Sequence, residues 1–372
     1  MMAPLQGLLV LDFSTLLPGP MASLILAEAG ARVVKIERPG RGDEMRSYEP
    51  KLGEDSVNFA MLNRGKQSIA LDLKAPDAVQ RLMPLLKSAD ILIEQFRPGV
   101  MERLGLGYET LRKINPQLVY CSITGWGQTG PKASVASHDL NYVAETGMLG
   151  LAAGSDGAPV LPPVLAADLA AGTMPAVMNI LLALRQRDQT GLGSYLDIAM
   201  GDNLFNLLYW GLGNGFAAGE WPQSGRELLT GGSPRYHIYR TADDRYVAAA
   251  PLEDKFWDNF TRIIGLPGEL IDPAAPVQAV VDAVAQRIAA KTAAEWQAAF
   301  AGQDVCCSIV ATLEEAIADP HVAARGLFQH TLKAGEREIP ALPVPLAPIF
   351  RPTATRGAAP LLGETTDPLL SI

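Results

Sequence analysis

The sequence predicts an α/β protein, with a doubly wound parallel sheet in a large domain and a smaller α+β domain after it. Three observations carry this. The first forty residues read as strand, helix, strand, and a βαβ unit implies parallel pairing. Apolar runs and helical patterns keep alternating to about residue 200, after which two adjacent strand-like runs break the rhythm. The 372 residues also exceed what one ordinary core holds.

The elements follow in order. Residues 8–13 are a mostly apolar strand, and Pro18-Gly19-Pro20 opens a helix that runs through Glu28, with Gly30 as its stop. Residues 33–37 form the second strand. A helix is expected over 77–87 despite Pro84, a strand over 91–94, one helix over 101–114 and a strand over 118–124. Residues 161–184 imitate a membrane span with a single charge, Asp168. Pro162, Pro163, Pro175 and Asn179 interrupt the stretch, so it reads as a helix buried in the core. A strand over 194–200 and another apolar helix follow. Residues 236–240 and 245–250 pair as a hairpin, and helices are expected over 255–264 and 277–300. The large domain spans 1–224 and the small one 225–330, divided near Gly231-Gly232-Ser233-Pro234. Residues 331–372, Pro-rich from 340 to 352, return to the large domain.

With 48% hydrophobic and 19% charged residues, the composition is that of a soluble globular enzyme. A net charge of -9 with no basic block argues against nucleic acid as a main partner. Cys121, Cys306 and Cys307 cannot build a disulfide framework, which fits a reducing cytoplasm. The opening Met1-Met2-Ala3-Pro4 lacks a basic n-region, so neither a signal peptide nor a membrane partner is expected.

Of four histidines, His138 is the candidate for chemistry. It lies in Ser137-His138-Asp139-Leu140-Asn141-Tyr142, just after the glycine-rich Gly125–Pro131 stretch, where backbone can approach a ligand closely. An imidazole suits proton transfer near neutrality, although a hydrogen-bonded loop histidine without chemistry fits the segment equally. Asp168, alone in an apolar segment, is a helix N-cap, half of a buried ion pair, or a reactive carboxylate. Glu253 reads as an N-terminal helix charge. The opening is Rossmann-like, yet its first turn has no GxGxxG fingerprint, and neither a Walker motif nor a metal-ligand cluster occurs. Basic residues in loops (Arg38, Arg41, Arg64, Lys66, Lys74, Arg97) suit an anionic nucleotide handle better than a neutral substrate.

Taken together, the stretches 12–20, 33–40, 63–74, 94–107, 125–131, 138–142, 167–169, 239–257 and 319–326 resemble the family III CoA-transferase superfamily, and within it the α-methylacyl-CoA racemases. The resemblance implies an interlocked homodimer with a Rossmann-like large domain and an α+β small domain. It implies an acyl-CoA thioester substrate and no cofactor beyond the CoA moiety. Family transferases use the aspartate matching Asp168 as a nucleophile, whereas the racemases pair it with a histidine matching His138 and add a glutamate matching Glu253. All three stand here, which implies racemisation of 2-methylacyl-CoA by α-proton removal and return. CoA transfer through Asp168 is the alternative. Ser137 stands where the family usually has glycine, and Asp254 where it commonly has proline. By the same resemblance Arg38, Leu71, Asp72, Leu73 and Lys74 hold the nucleotide, while Ser137, Asp139, Asn141 and Tyr142 border the thioester. Enolate chemistry needs hydrogen-bond donors, expected from backbone N–H groups near Asp168 or in the His138 loop.

Overall fold

The computed structural model describes residues 3–154, 157–334, 337–351 and 357–365. Of the expected C-terminal return over 331–372, residues 335–336, 352–356 and 366–372 lie outside the described residues. The chain divides into two compact units. The first comprises Met1–Thr146, Pro162–Leu207 and Arg325–Ile372, the second Gly147–Leu161 and Leu208–Ala324. Residues 147–161 and 208–224 therefore group with the second unit, and 325–330 with the first, which differs from boundaries placed at 224 and 330.

The first unit is built on six parallel strands: β1 (Leu9–Asp12), β2 (Arg32–Glu37), β3 (Gln67–Ala70), β4 (Ile91–Glu94), β5 (Val119–Thr124) and β6 (Tyr195–Ala199). Their order is β3-β2-β1-β4-β5-β6. The direction of winding reverses between β1 and β4, so ligands are expected beyond the carboxyl ends of these strands. β1, β4 and β5 are buried along their whole lengths, which is why they read as nearly unbroken apolar runs. Leu11, Val34, Leu82, Leu85, Leu92 and Leu111 form the main core cluster. Helix α1 (Pro18–Glu28) packs Met21, Leu24 and Ile25 with Phe59 and Val344 in a second cluster.

A buried ionic network fixes the turn between β1 and α1. The Asp12 carboxylate accepts from Ser14, from Ser23 Oγ at 2.5 Å and from Lys66 Nζ at 3.2 Å. Lys35 Nζ pairs with Asp43 at 3.0 Å and donates to the Ser14 carbonyl at 2.7 Å. Burial pushes Asp12 up, but Lys35, Lys66, Ser14 and Ser23 outweigh it and hold the carboxyl well below its ordinary range. The Leu16 amide donates to Asp43 at 3.2 Å, which holds Leu16 in a left-handed conformation at φ 61. Arg64 and Lys66 belong to this interior: Arg64 Nε bonds Glu28 at 2.8 Å, and both basic side chains are buried. They are structural, not part of a ligand handle.

Three expectations about helices need correction. The single helix expected over 101–114 is two, Val100–Arg103 and Tyr108–Ile114, because Gly105 turns the chain at φ 72. The segment expected over 277–300 also splits, into Val277–Ile288 and Ala293–Phe300, with Thr292 capping the second through Glu295. The apolar stretch around 161–184 is not buried on all sides. Ala167–Thr190 is long and apolar enough to cross a membrane, but 44% of its most apolar window is buried. Ala176, Ile180, Ala183 and Leu184 face inward, while Met174, Met178, Leu181 and Leu182 are exposed. Pro84 lies inside helix α2 (Ala78–Ser88), which continues through it.

The second unit holds a three-stranded antiparallel sheet, β7 (His237–Arg240), β8 (Tyr246–Ala249) and β9 (Cys307–Ile309), in the order β9-β8-β7. The first two strands are the expected hairpin. Trp257, Phe260, Val284 and Trp296 fill the core beneath.

Candidate active site

Within the first unit, a cavity of about 400 Å³ opens where four strands end. Leu16 comes from the turn after β1, Gln95 from that after β4, Trp126 from that after β5, and Met200 follows β6. His138 and Asp168 complete it.

His138 is the N-cap of helix α3 (Asp139–Glu145), with extended backbone at φ -122. Its amide donates to Asn141 Oδ1 at 3.0 Å, so the helix start fixes the loop and leaves the imidazole exposed. The preceding loop is tightly packed. Tyr142 Oη donates to the Ser137 carbonyl at 3.0 Å, and Trp126 Nε1 donates to Ser137 Oγ at 3.4 Å. A Cβ at position 125 would lie 2.2 Å from Tyr142 Oη, so only glycine fits there. Ser137 needs no left-handed backbone, and this structure accommodates it where the family pattern has glycine.

Asp168 opens a π-helical turn, Ala167–Thr173, which then becomes helix α4 (Met174–Thr190). Such turns are rare and concentrate at functional sites. Asp168 is neither an N-cap nor part of an ion pair: among the described residues its half-buried carboxyl accepts no hydrogen bond, and His138 is the charge that favours its ionised form. Burial, then the neighbouring Asp139, push it up to about 6, with His138 opposing. Asp139 is itself buried, and its Oδ1 accepts the Asp168 amide at 2.9 Å, joining the two halves of the site. Burial, then Asp168 and Asp139, raise Tyr142 to about 12. The Asp168 and His138 amides are thus already engaged and cannot serve an oxyanion. The Asp139 and Leu140 amides, in the first turn of α3, have no acceptor among the described residues.

Glu253 lies in the second unit, exposed, immediately before helix α5 (Asp254–Ile264), with no capping bond from its side chain. The structure brings His138, Ser137, Asn141, Tyr142 and Asp168 to one cavity, and Asp139 supports it from behind. Arg38, Leu71, Asp72, Leu73 and Lys74 line a different cavity of about 360 Å³ beyond β2 and β3. Thr15 and Phe96 line both cavities, so the two are neighbours. Arg97 lines the reactive cavity, and Arg41 stands with Arg38 in a further hollow. Sequence reasoning did not single out Glu94 or Asp197, whose carboxylates hold the turns at Phe96 and Gln128. Among the described residues no group of three or more His, Cys, Asp or Glu could hold a metal ion.

An imidazole and an unpaired carboxyl on one cavity, beside a second cavity rimmed by Arg38 and Lys74, fit an enzyme whose substrate carries an anionic handle. The chain belongs to the CoA-transferase family III, which it matches over residues 5–366. An acyl-CoA substrate follows from that membership. Human alpha-methylacyl-CoA racemase is 35% identical over 375 residues, covering 98% of this chain and 92% of that protein. The acetyl-CoA:oxalate CoA-transferase of Acetobacter aceti is 33% identical, covering 96% and 93%. A crystallised mutant of Rv3272 from Mycobacterium tuberculosis matches with a TM-score of 0.86 at 28% identity, covering 99% of both chains.

Proposed function

We propose that this enzyme interconverts the stereoisomers of 2-methylacyl-CoA thioesters. The observation that carries the reading is His138 and Asp168 on one cavity, with the Asp168 carboxyl pushed up to about 6 by burial and Asp139 against the opposing His138. One of the two takes the α-proton, the C–H electron pair moves onto the thioester oxygen as an enolate, and the other returns a proton to the opposite face. Their roles exchange with the hand of the substrate. By the family pattern, Glu253 assists His138. Arg38 and the Leu71–Lys74 segment hold the nucleotide, while Ser137, Asp139, Asn141 and Tyr142 border the thioester. No cofactor beyond the CoA moiety takes part.

The enzyme acts as an interlocked homodimer in the cytoplasm. Support for a dimer comes from the apolar face of α4, where Met178 is 56% and Leu182 61% exposed. A second reading, CoA transfer between carboxylic acids through an anhydride on Asp168, is favoured by near-equal similarity to transferases, at 33% against 35% identity. Replacing His138 or Asp168 by alanine separates the two. Under racemisation each variant loses roughly 10²-fold or more in rate while remaining folded. Under transfer, His138→Ala stays active, and mass spectrometry of the wild type finds an acyl or CoA adduct on Asp168.

A further inference from the structure

The proposed reaction builds negative charge on the thioester oxygen, and two backbone donors near it are already engaged. The His138 amide is given to Asn141 and the Asp168 amide to Asp139. Asp139 stands behind the cavity wall, whereas Ser137 is on it, next to His138. The Ser137 carbonyl accepts Tyr142 Oη at 3.0 Å, and its Oγ accepts Trp126 Nε1 at 3.4 Å. The indole that fixes Oγ is itself held on three sides. It meets Tyr142 edge to face at 5.4 Å, Lys132 Nζ lies 4.4 Å above it, and a Cβ at position 201 would collide with it. With a lone pair of Oγ committed to Trp126, the hydroxyl hydrogen of Ser137 has no acceptor among the described residues. Two other polar side chains that line the cavity are less well placed. Thr124 Oγ1 is shut off from solvent, and Asn141 is exposed, where water weakens a hydrogen bond. Ser137 is half-buried.

We propose that the Ser137 hydroxyl is a catalytic donor that meets the thioester oxygen as it becomes an enolate. The inference rests on the reading that a 2-methylacyl-CoA is racemised in this cavity. One of His138 and Asp168 takes the α-proton, the C–H pair forms the C=C bond, and the carbonyl π pair moves to oxygen. Ser137 keeps its own proton and offers it only as a hydrogen bond, which is stronger to the enolate oxygen than to the carbonyl. Because Trp126 holds Oγ before the substrate arrives, the donor needs little reorganisation. Glycine, the usual residue here in the family pattern, has no hydroxyl, so this donor belongs to the present chain.

The test is kcat and KM for α-deuterium incorporation into a 2-methylacyl-CoA in D₂O, in the wild type and in Ser137→Ala, Ser137→Gly and Ser137→Thr. The alanine and glycine variants are expected to lose roughly 10²-fold in kcat with KM changed by no more than about twofold, because the missing bond strengthens only in the transition state. Ser137→Thr, which keeps the hydroxyl, should hold kcat within about tenfold of the wild type. If the alanine variant does not fold, the glycine variant, with the residue usual at this place in the family, decides. A kcat within about threefold of the wild type in the alanine or glycine variant overturns the inference. So does an equal loss in all three variants with a raised KM, because that marks a residue that only shapes the loop. A wild type that binds the thioester but incorporates no deuterium overturns the racemase reading itself, and this inference with it, before any variant is compared.

Discussion

Asp139 acts twice on Asp168: its Oδ1 accepts the Asp168 amide, and its charge helps hold the neighbouring carboxyl near 6. The proposed reaction needs one proton on the His138–Asp168 pair. Adding a second protonates Asp168 and removes the base, so kcat/KM is expected to fall on the acid side through about pH 6. Asp139→Asn keeps an acceptor for the amide but removes the charge, so this limb should move to lower pH. A limb that stays in place in the asparagine variant would separate Asp168 from the profile. His138 and Asp168 could be picked out of the sequence because an isolated titratable group in an apolar or glycine-rich stretch stands out. Asp139 drew attention only through the family pattern. Its physical role depends on a contact across 29 residues of chain that no local pattern carries.

Three of the four strands that end at the site, β1, β4 and β5, were legible because they are buried on both faces and read as apolar runs. The edge strand β3 and the short β9 were not: Gln67–Ala70 and Cys307–Ile309 are too brief and mixed to carry a period. Helix breaks at Gly105 and Thr292 were missed because the helical pattern continues on both sides of them. Glu94 was read as the end of a strand, and its packing under β5 appears only when strands 28 or more residues apart are aligned. Its raised pKa has a consequence for the whole element. The unfolded carboxyl titrates near 4.5 and the folded one near 7, so the folded state binds more protons between these values. The stability contribution of Glu94 is thus fully present below 4.5 and lost as pH rises through about 7. Melting temperatures across that window should fall less in Glu94→Gln than in the wild type, and parallel curves would contradict the assignment.

At the scale of the molecule, composition pointed to an enzyme, as membership of the family bears out, but it misjudged the longest apolar segment. A helix that covers a core on one side and is apolar and exposed on the other has no polar face, so its sequence looks fully buried. Met174, Met178, Leu181 and Leu182 are the residues that distinguish these cases. Replacing Met178 and Leu182 together by glutamate is expected to turn a dimer into monomers in sedimentation velocity; a dimer that persists would place the interface elsewhere. The most direct test of the proposed chemistry is incubation of a single-enantiomer 2-methylacyl-CoA in D₂O, with α-deuterium and chirality read on the same sample. Racemisation predicts α-deuterium incorporation together with loss of optical purity. Binding of the thioester without exchange would contradict it and leave CoA transfer through Asp168 as the reading to pursue.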